Sequence, residues 1–156
     1  FLQQRNSACR IDALTERLDE AQLNALLPQC QAVVDCCDNF ATRQAVNRAA
    51  VACKIPLISG AAVRFEGQLV VYRPDTDDSP CYACLFDMPH ADDGACAVFG
   101  VFSPLVGVIG AAQAAETLKV LLGLPSPMGV LQCYNALSGE WQRFRFGKNP
   151  QCRVCG

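Results

Sequence analysis

The residues best suited to chemistry are two Cys-x-x-Cys pairs, Cys81-Tyr82-Ala83-Cys84 and Cys152-Arg153-Val154-Cys155. Each follows a turn-rich segment, 75–80 before the first pair and 147–150 before the second. A tight turn across CxxC brings two sulfurs within reach of one ion, and two such turns complete a closed tetrahedral shell. The expectation is therefore one structural zinc ion held by Cys81, Cys84, Cys152 and Cys155. The pairs lie much farther apart than in a compact zinc finger, so the metal would tie the late segment to the middle of the fold. Two bland alternatives stay open: a redox CxxC, although a thioredoxin-type site needs only one pair, or two unrelated turns.

A second constellation is Val33-Val34-Asp35-Cys36-Cys37-Asp38-Asn39, an apolar strand running straight into two acids and an amide, with Thr42 and Arg43 one turn on. In α/β sheets ligands collect beyond the carboxyl ends of the strands. A carboxylate there can hold magnesium on nucleotide phosphates, since that ion takes one or two protein carboxylates and fills its other positions with phosphate and water. Equally, Asp38 or Asn39 can simply cap the next helix. Local sequence leaves both readings open.

The elements that must position these groups alternate. The pattern predicts a strand over 8–14, a helix over 19–27, a buried strand over 31–36 and a helix over 40–54. Strands follow over 56–62 and 64–72, with Glu66-Gly67 as a bulge or turn. Residues 73–103 read largely as loop, before a buried helix from Pro104 to Leu122 with Ser103 as cap and Gly123 beyond its end. A hairpin of 130–134 and 141–146 turns around 135–139. This order predicts a single α/β domain over 1–156, parallel in its first part and more antiparallel in its second.

Composition bounds the function. A chain of 156 residues with 51% hydrophobic residues can bury a sizeable core, so its 11 cysteines are expected mostly reduced, with Cys36, Cys37, Cys53 and Cys133 acting as small buried hydrophobes. A net charge of −2 without a basic run argues against nucleic acid as a partner. The apolar stretch 98–124 is broken by Pro104, Gln113, Glu116 and Lys119, which argues against a membrane span. Phe1-Leu2-Gln3-Gln4-Arg5 lacks a secretory pattern, and a cytoplasmic location is the default expectation.

Five segments, taken in order, resemble the ThiF/MoeB/HesA family, bacterial relatives of ubiquitin-activating enzymes. They are Asp35 to Arg43, Pro56 to Ala62, Cys81 to Cys84, Ser103 to Gly110 and Asn149 to Gly156. The resemblance implies a Rossmann-like ubiquitin-activating-type fold with a mixed sheet. It also implies use of ATP and magnesium to adenylate the C-terminal glycine of a small ubiquitin-like sulfur-carrier protein, in molybdopterin or thiamine synthesis. Asp38 would support nucleotide and magnesium, Asn39 would lie beside it, and the two CxxC pairs would hold zinc. Cys96, in the loop 92–97, stands where family members carry a cysteine that bonds covalently to the carrier or its sulfur. Asp92 and Asp93 work against its ionisation, so a loop cysteine without a catalytic function stays open as the alternative, and His90 reads as a solvated loop residue.

The family's glycine-rich phosphate turn has no counterpart in this sequence, where no GxGxxG follows a strand. Phe1 to Asn6 resembles the tail of a helix, so the expectation is an N-terminally truncated portion of a longer, homodimeric parent, inactive alone. The competing classes are a zinc-stabilised carrier-binding module without chemistry and a thiol-redox protein.

Overall fold

The computed structural model describes residues 2–87 and 99–156. Cys96, His90, Asp92 and Asp93 lie outside the described residues. The helices are α1 (Leu2–Arg5), α2 (Glu20–Leu26), α3 (Phe40–Cys53), α4 (Tyr82–Leu85) and α5 (Ser103–Leu121). The strands are β1 (Val33–Asp35), β2 (Leu57–Val63), β3 (Glu66–Tyr72), β4 (Val130–Asn135) and β5 (Glu140–Arg145). They form one sheet in sequence order, β1 parallel to β2 and every later pair antiparallel. The expected change from parallel to antiparallel is thus present.

Alternation along the strands dictates which helix covers which face. Leu57, Val70 and Tyr72 point to one side, where Val46, Ala49 and Ala50 of α3 and Leu27 bury against them. Ile58, Leu69 and Val71 point to the other, where Ala112 and Val120 of α5 pack. The approach of α5 is close because two strand positions on its face are glycines. A Cβ on Gly60 would lie 2.3 Å from Gln113 Cδ, and one on Gly67 would lie 2.5 Å from Ile109 Cδ1.

Local signals fixed most boundaries. Asp19 and Gln22 form a reciprocal capping box at the start of α2. Lys54 ends α3 in the left-handed conformation, and Gly123, at φ +66°, follows α5.

Several expectations need correction. Residues 8–14 form no strand and are exposed; the sheet ends at β1, and among the described residues nothing pairs with that segment. The turn expected at Glu66-Gly67 lies earlier, at Arg64-Phe65, because Val63 already pairs with Glu66 and Arg64 takes φ +51°. Ser103 is the first residue of α5 and not its cap; Phe102 holds that position without a side-chain bond.

Nor is α5 a wholly buried helix. It is long and apolar enough to cross a membrane by length and composition, but here it lies on the sheet through Leu105, Ile109 and Gln113. Val106, Leu118 and Leu121 on its remaining surface, and Leu122 just after it, are exposed. Cys36 is also exposed, and Cys37, Cys53 and Cys133 are only half-buried, since each lies at a strand end, a helix end or a sheet surface that no other described element covers fully.

Candidate functional site

Two sites emerge, one at the carboxyl ends of β1 and β2 and one formed by the cysteine pairs. The first begins with Arg43, which α3 carries into the sheet one turn after its start. Its side chain is 9% exposed and that of Asp35, the last residue of β1, only 1%. Arg43 Nη1 donates to Asp35 Oδ2 at 3.0 Å and to Ser59 Oγ at 2.9 Å; Nη2 donates to Gly60 O at 2.8 Å and to Cys37 O. Ser59 Oγ in turn donates to Asp35 Oδ2 at 2.9 Å, and Cys37 N donates to Asp35 Oδ1 at 2.9 Å. From the opposite face Gln113 Nε2 donates to the carbonyls of Asp35 and Ile58, at 2.9 and 3.2 Å. The strand ends are therefore held from both sides by charge and hydrogen bonds, as buried polar groups require.

This network fixes the turn 36–38 above a pocket of about 400 Å³, bounded by Asp38, Gly60, Ala61, Val106, Gly110 and Gln113. Asn39 is the helix cap, its Oδ1 accepting from Thr42 N at 2.8 Å. Asp38 is left exposed, its Oδ1 accepting only a 3.3 Å bond from Asn39 Nδ2 among the bonds seen here. Of the two groups that local sequence offered as a cap, Asn39 is the one that caps; Asp38 is exposed at the rim of the pocket. Cys37 beside it is a poor nucleophile. Burial, then its hydrogen bond to Asp35 and the charge of that carboxylate, push its thiol up to about 12.

The second site joins the two cysteine pairs. Cys81 precedes α4, and Cys84 lies within it; Cys84 N donates to Cys81 O at 3.0 Å, closing the first turn. In the second turn Cys152 N donates to Asn149 O at 2.9 Å, and Gly156 N donates to Cys152 O at 3.0 Å. The four sulfurs all lie within 4.8 Å of one another, with Cys81–Cys152 at 3.7 Å and Cys84–Cys155 at 3.4 Å. A tetrahedral ion with 2.3 Å bonds to sulfur needs edges of about 3.8 Å. The cluster's size and donor set therefore fit one zinc ion.

Its surroundings suit sulfur as well. Asn149 N donates to Cys84 Sγ at 3.4 Å and Asn47 Nδ2 to Cys81 Sγ at 3.6 Å. Burial opposes ionisation of Cys81 and Cys155. It also pushes Cys152 upward, yet backbone N–H groups of Cys155 and Val154, together with hydrogen bonds to the Cys81 and Cys84 side chains, bring that thiol down to about 7. The cluster is docked on α3 by Asn47 Oδ1, which accepts from Tyr82 N at 2.9 Å, and by Gln44 Nε2, which donates to Phe86 O at 2.8 Å.

A profile of the ThiF family matches residues 1–154. The chain belongs to the ThiF family. It is 40% identical over 152 residues to the molybdopterin-synthase adenylyltransferase of Escherichia coli K12, covering 97% of the chain and 61% of that relative. It is 38% identical over 155 residues to the sulfur carrier protein ThiS adenylyltransferase of the same organism, covering 99% of the chain and 61% of the relative. The mouse adenylyltransferase and sulfurtransferase MOCS3 is 40% identical over 159 residues, 99% of the chain and 34% of that protein. The chain thus spans about three-fifths of the length of the bacterial relatives. The fold is shared with a crystal structure of E. coli MccB with ATP, at TM-score 0.80 and 23% identity, over 99% of the chain and 48% of MccB.

Sequence reasoning singled out the four cysteines, Asp38 and Asn39 but missed the network of Asp35, Arg43, Ser59 and Gln113. The signal was present. Ser59-Gly60 interrupts an apolar strand, and Gln113 interrupts an apolar helix.

Proposed function

We propose that the intact ThiF-family protein adenylates the C-terminal glycine of a small ubiquitin-like sulfur-carrier protein, using ATP, and that this chain supplies part of the nucleotide pocket and a structural zinc site. The observation carrying this reading is the match over nearly the whole chain to relatives named as adenylyltransferases, two of them for molybdopterin synthase and a sulfur carrier protein. In such a reaction a carrier carboxylate oxygen attacks the α-phosphorus of ATP. The new P–O bond makes an acyl-adenylate as the bond to pyrophosphate breaks.

The geometry supports a place for the nucleotide. Among the described residues, the pocket at the ends of β1 and β2 has small apolar walls and one carboxylate, Asp38. A magnesium ion bound with the triphosphate would supply positive charge to the departing pyrophosphate, and Asp38 is the group that would hold it. Asn39 keeps Asp38 in place through its amide while capping α3. Arg43 does not serve the phosphates in this reading, because Asp35 already neutralises it.

The four cysteines would hold zinc in a closed shell with no position for substrate, so the metal is structural. Four convergent sulfurs also speak against a thiol-redox reading, which uses one pair. Cys96, beyond the described residues, is the candidate covalent thiol on the strength of its position in the sequence. It would attack the acyl-adenylate carbonyl and release AMP.

Three outcomes test these assignments. Elemental analysis of protein purified without chelator should find one zinc per chain, and removing it should loosen the fold, since structural zinc contributes about 10–16 kcal/mol; metal-free, fully folded protein would refute the site. In the intact protein, Asp38→Ala should lower carrier-dependent ATP–pyrophosphate exchange by about 10²-fold or more while stability stays within about 0.5 kcal/mol. Undiminished exchange would remove Asp38 from the nucleotide site, and exchange absent even from the unaltered protein would favour a carrier-binding module. Cys96→Ser should leave exchange intact and stop only later transfer to the thiol, so full sulfur transfer by that variant would show Cys96 to be dispensable.

A further inference from the structure

We infer that Asn47 is a positioning residue for the four-cysteine metal site, supplying through its side-chain amide the hydrogen bond that water cannot supply to the Cys81 thiolate. The inference rests on the metal-site reading above and goes beyond it, since Asn47 belongs to neither CxxC pair.

Cys81 is the most enclosed of the four sulfur-bearing residues, 2% exposed, whereas the other three are half-buried. A zinc ion with four thiolates carries a net charge of −2, and a thiolate in the interior keeps that charge only if donors replace its lost hydration. Asn47 is itself 1% exposed and projects from α3, four residues after Arg43. Its amide cannot be reversed. Oδ1 must face Tyr82 N–H, 2.9 Å away, because an NH₂ group there would oppose donor to donor. The Nδ2 donor then faces Cys81 Sγ, at 3.6 Å. One neutral side chain thereby fixes the N-terminal backbone of α4 and polarises the sulfur that precedes it. Outer groups that bond to metal ligands typically account for about 10–100-fold in metal affinity.

Asn47→Asp separates this role from simple packing. The variant keeps the shape and the acceptor for Tyr82 N–H, loses the donor, and places a negative charge beside the sulfur. Competition with a chromophoric chelator should show zinc bound about 10–100-fold more weakly than by the unaltered chain. The sulfur-to-metal charge-transfer band of the cobalt-loaded variant should also shift.

A measurement on the unaltered chain covers the case in which the variant does not fold. With ¹¹³Cd bound and ¹⁵N labelling, the Asn47 Nδ2 proton should show scalar coupling to cadmium through the N–H···S bond. Absence of that coupling, or a folded Asn47→Asp chain with unchanged affinity and spectrum, overturns the inference while leaving the metal site standing. An unaltered chain that takes up no stoichiometric zinc, cobalt or cadmium overturns both.

Discussion

Arg43 brings a full positive charge into the space between α3 and the carboxyl ends of β1 and β2, and the surrounding architecture is arranged to make that tolerable. Asp35 supplies the opposing charge, Ser59 bridges the two, and the carbonyls of Cys37 and Gly60 accept from Nη2. Desolvating such a pair costs several kcal/mol per ion, so it persists only with this degree of hydrogen-bond satisfaction. The consequence is geometric. The last residue of β1, the turn after it and the matching stretch of β2 are held to one another and to α3, and Asp38 projects from that turn.

Gln113 completes the arrangement from the other face, and its fit explains a glycine. Its amide bonds to the carbonyls of Asp35 and Ile58 because Gly60 leaves it room; a Cβ there would meet the amide carbon at 2.3 Å. Two helices on opposite faces of the sheet therefore converge on one strand end. Helix α3 extends the same logic to the cysteine cluster. Asn39, Arg43 and Asn47 recur at four-residue spacing along one face. They serve in turn as helix cap, ion-pair partner and donor to Cys81. One rod thus relates the candidate nucleotide pocket to the candidate zinc site.

Much of this was legible in the sequence. A cap at Asp38 or Asn39, Gly123 after α5 and the final hairpin follow from local chemistry acting over a few residues. The four cysteines were readable because a tetrahedral thiolate shell needs two close pairs at any separation. What escaped reading depends on contacts distant in sequence. Asp35 and Arg43 stood in the same constellation, but their pairing becomes visible only when Ser59 and the strand carbonyls are brought beside them. The failed strand at 8–14 has the same cause in reverse: its alternation is adequate, but a strand forms only against a neighbour, and none of the described residues supplies one. The long helix α5 was read as a buried helix, although Leu105, Ile109 and Gln113 are its buried residues and much of its remaining surface is exposed. Cys96 and its loop lie outside the described residues, and their role rests on the sequence.

The claim on which the site depends is that Arg43 and Asp35 act as one buried, coupled unit. A double-mutant cycle in urea unfolding measures this directly, with Asp35→Asn, Arg43→Met and the combined variant. Each single change should cost about 3–5 kcal/mol, since it strands a buried charge or its partners. The double variant should lose clearly less than the sum, giving a coupling energy of about 1–3 kcal/mol. Single losses under about 1 kcal/mol that simply add would mean that the pair is not what holds the strand ends, and would contradict the account.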